Sequence, residues 1–174
     1  MIFAIVGPSG AGKDTLIAGA LAARPDLRRV RRVITRPEVA GDEPFEGVSV
    51  AEFAARKAGG EFALDWQAHG LCYGIPRAAV GGPGDVIFNG SRAALGPALR
   101  VFPGLRVVLV TAPPEVLAAR LAARGREAAG DILARLDRAG FVLPPMISPR
   151  VVMNDASLEE GVARLLTVLQ PDRG

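Results

Sequence analysis

The chain has 174 residues, 49% of them hydrophobic and 22% charged, enough to bury one good core and short for two independent ones. A single cysteine, Cys72, excludes a disulfide framework within the chain and fits a reducing compartment, where a half-buried small hydrophobe is its expected role. The net charge is only +3, and of the 21 basic residues all but Lys13 and Lys57 are arginine. Arginines cluster at Arg28, Arg29, Arg31, Arg32 and Arg36, and again at Arg120, Arg124, Arg126, Arg135 and Arg138, a pattern that attracts anions. With 5% aromatic residues and no recognisable reading module, nucleic acid is not the expected anion, and a polyphosphate ligand is. There is no basic n-region followed by a long apolar h-region, and no run nears the roughly 18 apolar residues of a membrane span. The expectation is a cytoplasmic protein with neither nucleic acid nor membrane as partner, and the sequence leaves its oligomeric state open.

In chain order, Met1 to Val6 is a continuously apolar run, as in a parallel strand covered on both faces. A glycine-rich turn follows, then an alanine- and leucine-rich helix from about Lys13 to Ala23. Further strands are expected at Arg29 to Thr35, Val86 to Asn89, Leu105 to Thr111 and Arg150 to Met153, with helices at Pro114 to Ala123 and Ser157 to Leu169. Strands alternating with helices indicate an open parallel α/β sheet. Two stretches interrupt the alternation. Residues 36–76 are short-patterned and glycine-rich, with a strand at Glu61 to Trp66 and a turn at His69-Gly70, and are expected to form an acceptor-binding insertion. Residues 124–131 place two glycines among charges between helical patterns, as a hinge-borne lid would, and helical periodicity resumes at Ile132, Leu133 and Leu136. The expected organisation is therefore one domain, with its core in 1–35 and 84–174.

The turn after the first strand reads Gly7-Pro8-Ser9-Gly10-Ala11-Gly12-Lys13-Asp14, the form GxxxxGK. Following a strand and opening a helix, such a loop turns successive backbone N–H groups and a helix N-terminus toward a polyphosphate. Its lysine reaches the β- and γ-phosphates, so ATP is the expected ligand. Lysine here, in a chain that uses arginine almost everywhere else, indicates a need for a compact, flexible ammonium. The Ser or Thr that normally follows the lysine and binds Mg²⁺ is Asp14, with Thr15 next; Asp14 still offers hard oxygen to the metal.

No Cys/His cluster exists, and His69, the single histidine, sits in a glycine turn as a polar loop residue. The lack of an evident base is informative if the acceptor is a phosphate, because its second ionisation lies near about pH 6 and the attacking oxygen is already anionic. Positioning and charge neutralisation then suffice, and arginine supplies both.

Nearly the whole chain resembles the guanylate kinase superfamily of P-loop NTPases: a parallel sheet core, a small acceptor-binding insertion and an arginine lid. Arg120-Leu121-Ala122-Ala123-Arg124-Gly125, then Glu127 and Arg135-Leu136, look like that family's lid, which implies that Arg120, Arg124 and Arg135 contact ATP and the transferring phosphoryl group. Val151 to Asp155 resembles the loop beside the adenine, which implies a nucleotide-side role for Asn154. Ile34-Thr35-Arg36 and Tyr73-Gly74 look like the acceptor-phosphate clamp, assigning Arg36 and Tyr73 to it. The guanine-reading positions depart from the pattern: Leu64 stands nine residues before Tyr73, where guanylate kinases carry glutamate, and Asn89-Gly90-Ser91-Arg92 replaces an aspartate-rich strand end. Together with aspartate after the P-loop lysine and Gly70-Leu71-Cys72-Tyr73-Gly74, these variants resemble the ribose 1,5-bisphosphate phosphokinases of bacterial phosphonate catabolism. That resemblance implies transfer of the γ-phosphoryl of ATP to the 1-phosphate of ribose 1,5-bisphosphate, with Asn89, Ser91 and Arg92 facing the sugar phosphate. Guanylate kinase proper and a non-catalytic interaction module of the same fold are the alternatives.

Overall fold

The computed structural model describes residues 1–38, 43–125, 132 and 140–170. By its internal contacts the chain divides into two compact units, Met1–Ala4 with Pro25–Arg106 and Ile5–Arg24 with Val107–Gly174. Strand β1, Ile2–Val6, runs through both, and Phe3, Ala4, Ile5 and Val6 are all fully buried, as an apolar strand covered on both faces must be. The strands β2 (Arg28–Arg29), β7 (Val86–Asn89), β8 (Leu105–Thr111) and β9 (Arg150–Met153) complete its sheet in the order β2-β7-β1-β8-β9. Both β2 with β7 and β8 with β9 pair parallel.

The first unit also holds a smaller sheet, ordered β4-β3-β6-β5, from β3 (Arg32–Ile34), β4 (Phe45–Gly47), β5 (Phe62–Ala68) and β6 (Leu71–Pro76). Helix α2, Val50–Ala58, starts where the Ser49 hydroxyl accepts the Glu52 N–H at 3.1 Å. Its Phe53 packs with Val33 and Phe62 into a cluster that Val48 and the half-buried Cys72 border. Strands β5 and β6 form a hairpin closed by His69 and Gly70, both at positive φ (54° and 74°), so His69 is a turn residue. After the short helix α3 (Arg77–Val80) and β7 comes α4, Arg92–Val101.

In the second unit, α1 (Lys13–Ala23) and α6 (Leu158–Val168) lie side by side. Glycines make that approach possible: a Cβ on Gly19 would lie 2.4 Å from Val162 Cγ2, and one on Gly161 2.8 Å from Leu16 Cδ2. A capping box, Ser157 with Glu160, starts α6. Helix α5, Pro114–Arg124, begins with proline at its first position, where the missing N–H costs nothing.

The strand expected over Arg29 to Thr35 is in fact two. Residues 28–29 pair with β7, and Val30 N–H still bonds Ile87 O at 2.9 Å; the chain then leaves that sheet, and 32–34 pair with β6 and β4 in the other. A continuous alternation of buried residues cannot reveal which sheet supplies the hydrogen-bond partners. Helix α4 was not foreseen because Gly96-Pro97 reads as a break, although Ala94, Leu95 and Ala98 bury one face of it. The expected lid and resumed helix, with Arg126, Asp131, Leu133, Arg135, Leu136 and Arg138, fall outside the described residues except for Arg124, Gly125 and Ile132.

Candidate active site

The second unit carries the loop expected to cradle phosphates. Gly7 leaves β1 so close to β8 that a Cβ would lie 1.9 Å from Val110 O, a backbone atom that cannot step aside. The loop folds back through an Ala11 N–H bond to Pro8 O at 3.2 Å and enters α1 from Gly12 at φ 85° with no side-chain cap, so the first N–H groups of the helix are left for a ligand. Lys13 Nζ donates to Gly7 O at 2.8 Å and Pro8 O at 3.1 Å, curling over its own loop. Ser9, Asp14 and Thr15 are exposed, the last two in the first turn of α1.

A second layer fixes this loop. Asn154, just after β9, is 7% exposed and its Nδ2 donates to Ala11 O at 2.8 Å. Gly12 and Gly161 form its cradle, since Cβ atoms there would stand 2.6 Å from Nδ2 and 2.7 Å from Oδ1. Arg120, half-buried on α5, donates through Nη2 to Asn154 O at 2.8 Å and through Nη1 to Gly10 O at 3.3 Å. The resemblance assigned Arg120 to the transferring group and Asn154 to the nucleotide; both side chains here bond the backbone that shapes the P-loop. Arg124 ends α5 exposed, and Arg135 lies outside the described residues. Asp155 follows, its carboxyl held below the usual range by a hydrogen bond from Arg164, with a lesser Coulombic pull from Arg120.

The first unit carries the expected acceptor residues. Tyr73 on β6 stacks on Trp66 of β5, its cross-strand partner, with ring centroids 5.2 Å apart and planes 5° from parallel. The Arg32 guanidinium sits over the Tyr73 ring at 5.2 Å, and that of Arg36 over Phe45 at 4.5 Å. Thr35 ties β3 to β6 by accepting the Cys72 N–H at 2.9 Å. Leu64 is 3% exposed opposite Ile75, so the position offers an apolar core residue and no hydrogen-bond acceptor. Asn89, at the end of β7, is 7% exposed. Ser91 precedes α4 with its Oγ buried and without a hydrogen-bond partner among the described residues, and Arg92 opens the helix exposed.

Sequence reasoning passed over Glu43. Its buried carboxylate takes a bidentate pair from Arg32, lies 3.7 Å from Arg29 Nη2 and accepts from Asn89 Nδ2 at 3.3 Å. An acid set before Pro44 among so many arginines was the available signal, but nothing local distinguishes it from the exposed Glu38. Among the described residues no group of three or more His, Cys, Asp and Glu is arranged to hold a metal; Asp14 and Thr15 carry exposed hard oxygens in the first turn of α1.

The chain is 47% identical to the ribose 1,5-bisphosphate phosphokinase of Ruegeria sp., over 99% of this chain and 93% of that protein. The chain belongs to the ribose 1,5-bisphosphate phosphokinase family. The Agrobacterium fabrum member is 46% identical over 98% of this chain and 96% of its own length. A bifunctional ribose 1,5-bisphosphokinase-thymidine phosphorylase of Cupriavidus necator is also 46% identical, but this chain spans only 29% of it. Among solved structures, guanylate kinase from Anaplasma phagocytophilum matches with a TM-score of 0.67 over 97% of this chain and 84% of that one, at 17% identity. A gluconokinase from Sinorhizobium meliloti gives 0.53 over 96% and 90%, also at 17%. Those likenesses show the fold alone, an α/β fold with a parallel sheet core. No family model matches the chain. Among the described residues no helix is long and apolar enough to cross a membrane.

Proposed function

We propose that this chain transfers the γ-phosphoryl group of ATP to the 1-phosphate of ribose 1,5-bisphosphate, giving 5-phospho-α-D-ribose 1-diphosphate and ADP in the cytoplasm. The observation that carries the reading is the 47% identity, over almost the full length of both chains, to a relative bearing that name. An oxygen of the acceptor 1-phosphate attacks the γ-phosphorus, the bond from that phosphorus to the β–γ bridging oxygen breaks, and ADP departs with the electron pair. The attacking oxygen is already anionic at neutral pH, which suits a chain without an evident base.

Gly7 to Thr15 bind the triphosphate through backbone N–H groups, and Lys13 exchanges its contacts with Gly7 O and Pro8 O for the β- and γ-phosphates. Mg²⁺ neutralises further polyphosphate charge when bound, and Asp14 with Thr15 would hold it. Arg120 and Asn154 keep the loop in shape, and Arg124 and Arg135 act on the phosphoryl group from the lid. On the acceptor side Arg36, Tyr73, Asn89, Ser91 and Arg92 serve a sugar bisphosphate, a ligand with two phosphates and no base. Buried Leu64 disfavours guanosine monophosphate, because its N1 and N2 donors would lose an acceptor there. A coupled ADP-release assay with ribose 1,5-bisphosphate, ribose 5-phosphate and the nucleoside monophosphates tests the reading. Faster turnover of guanosine monophosphate than of the bisphosphate would return the chain to guanylate kinase.

A further inference from the structure

Glu43 stands just before β4 with its side chain only 5% exposed, an unusual place for an ionised carboxylate. Arg32 Nε donates to Oε1 at 3.0 Å and Arg32 Nη2 donates to Oε2, the two-pronged geometry that fixes a guanidinium in one plane. Arg29 Nη2 lies 3.7 Å from Oε1, and Asn89 Nδ2 donates to Oε2 at 3.3 Å. Burying such a group is a weak route to stability, since apolar residues of the same volume often serve as well. What it does achieve is placement. Arg32 commits its Nε/Nη2 edge to Glu43, while its Nη1 makes no hydrogen bond among the described residues, and the guanidinium lies over the ring of Tyr73.

We propose that Glu43 is the positioning residue of the acceptor site: it pins Arg32, whose guanidinium lies over the Tyr73 ring, so that Nη1 takes a phosphate of the phosphorylated sugar. Asn89 serves the same end by orienting Glu43 with its amide. Glu43 touches no substrate itself. The identity of the sugar rests on the function proposed above, whereas the phosphate chemistry follows from the guanidinium alone.

The single tryptophan supplies the readout, because Trp66 is 6% exposed and stacked on Tyr73. The full-length protein and its Glu43→Gln and Arg32→Lys variants are titrated with ribose 5-phosphate and with inorganic phosphate while Trp66 emission is followed. The Michaelis constants for acceptor and for ATP are measured alongside. Glu43→Gln keeps size and one accepting oxygen but loses the charge; Arg32→Lys keeps the charge but loses the fork, and carries the test should the first variant not fold. Each variant is expected to weaken phosphate binding and raise the acceptor KM by about tenfold or more, leaving the ATP KM within about twofold. Variants that bind phosphate as the wild type does, or a wild type whose Trp66 responds to neither ligand, overturn the proposal. So does a joint rise of both Michaelis constants with a lowered melting temperature, which marks a purely structural role. If the wild type binds phosphate through Glu43 and Arg32 yet fails to turn over ribose 1,5-bisphosphate, the positioning role stands and the substrate reading falls.

Discussion

Replacing Asn154 by alanine removes one hydrogen bond from the floor of the phosphate cradle and leaves the surrounding backbone tied. The Asn154 N–H still bonds Thr111 O at 2.7 Å, and its carbonyl still receives Arg120 Nη2. What is lost is the 2.8 Å bond from Nδ2 to Ala11 O, within a fully buried residue that has no water to turn to. Stranding a buried carbonyl costs about 1–3 kcal/mol. At about 2–4 °C per kcal/mol for a chain of this size, a loss near 2 kcal/mol lowers the melting temperature by about 4–8 °C. If the loop itself absorbs the loss, ATP must re-order it on binding, and each 1.4 kcal/mol so spent weakens ATP about tenfold. Steady-state kinetics should therefore show the ATP KM up by about tenfold with the acceptor KM unchanged. A lowered melting temperature with an unaltered ATP KM would refute the reasoning, since Asn154 would then support the fold and not the cradle.

Lys13→Ala should lower kcat by about 10²–10³ without changing the melting temperature, because its ammonium acts on charge developing in the transition state while the core packs without it; activity within tenfold of wild type would count against this. Arg124→Ala should lower kcat more than it raises the ATP KM, as expected of a group engaged only on closure, whereas a pure KM effect would make it an ordinary binding residue. The Arg164 bond depresses the Asp155 carboxyl below its ordinary value of 3.8, so its stabilisation is fully present above that pH and is lost as pH falls through the lower, folded value. The melting-temperature difference between wild type and Asp155→Asn should thus hold from neutral pH down to about pH 4 and be lost only as pH falls further, through the depressed folded value.

The P-loop was legible because it is local. Gly7 to Asp14 lie within one strand-turn-helix unit, and covalent spacing alone brings the glycine-rich loop, Lys13 and the first turn of α1 together. Strands β7, β8 and β9 were legible with their boundaries because they are short apolar or β-branched runs whose burial does not depend on choosing between sheets. The division of 28–34 between two sheets was not, since hydrogen-bond partners from β6 and β7 are far away in sequence. The supports of the site were hidden for the same reason. Asn154 reaches Ala11 across 143 residues and Arg120 reaches Gly10 across 110, and no periodicity encodes such pairs. Glu43 shows the contrast most plainly. In sequence it is one acid among many arginines, and only the tertiary structure buries it between Arg29, Arg32 and Asn89. Sequence determined which phosphate chemistry the chain carries, because that chemistry sits in a contiguous loop; folding decided which residues hold that loop and the arginines in place, because burial and long-range pairing exist only once the chain has closed on itself.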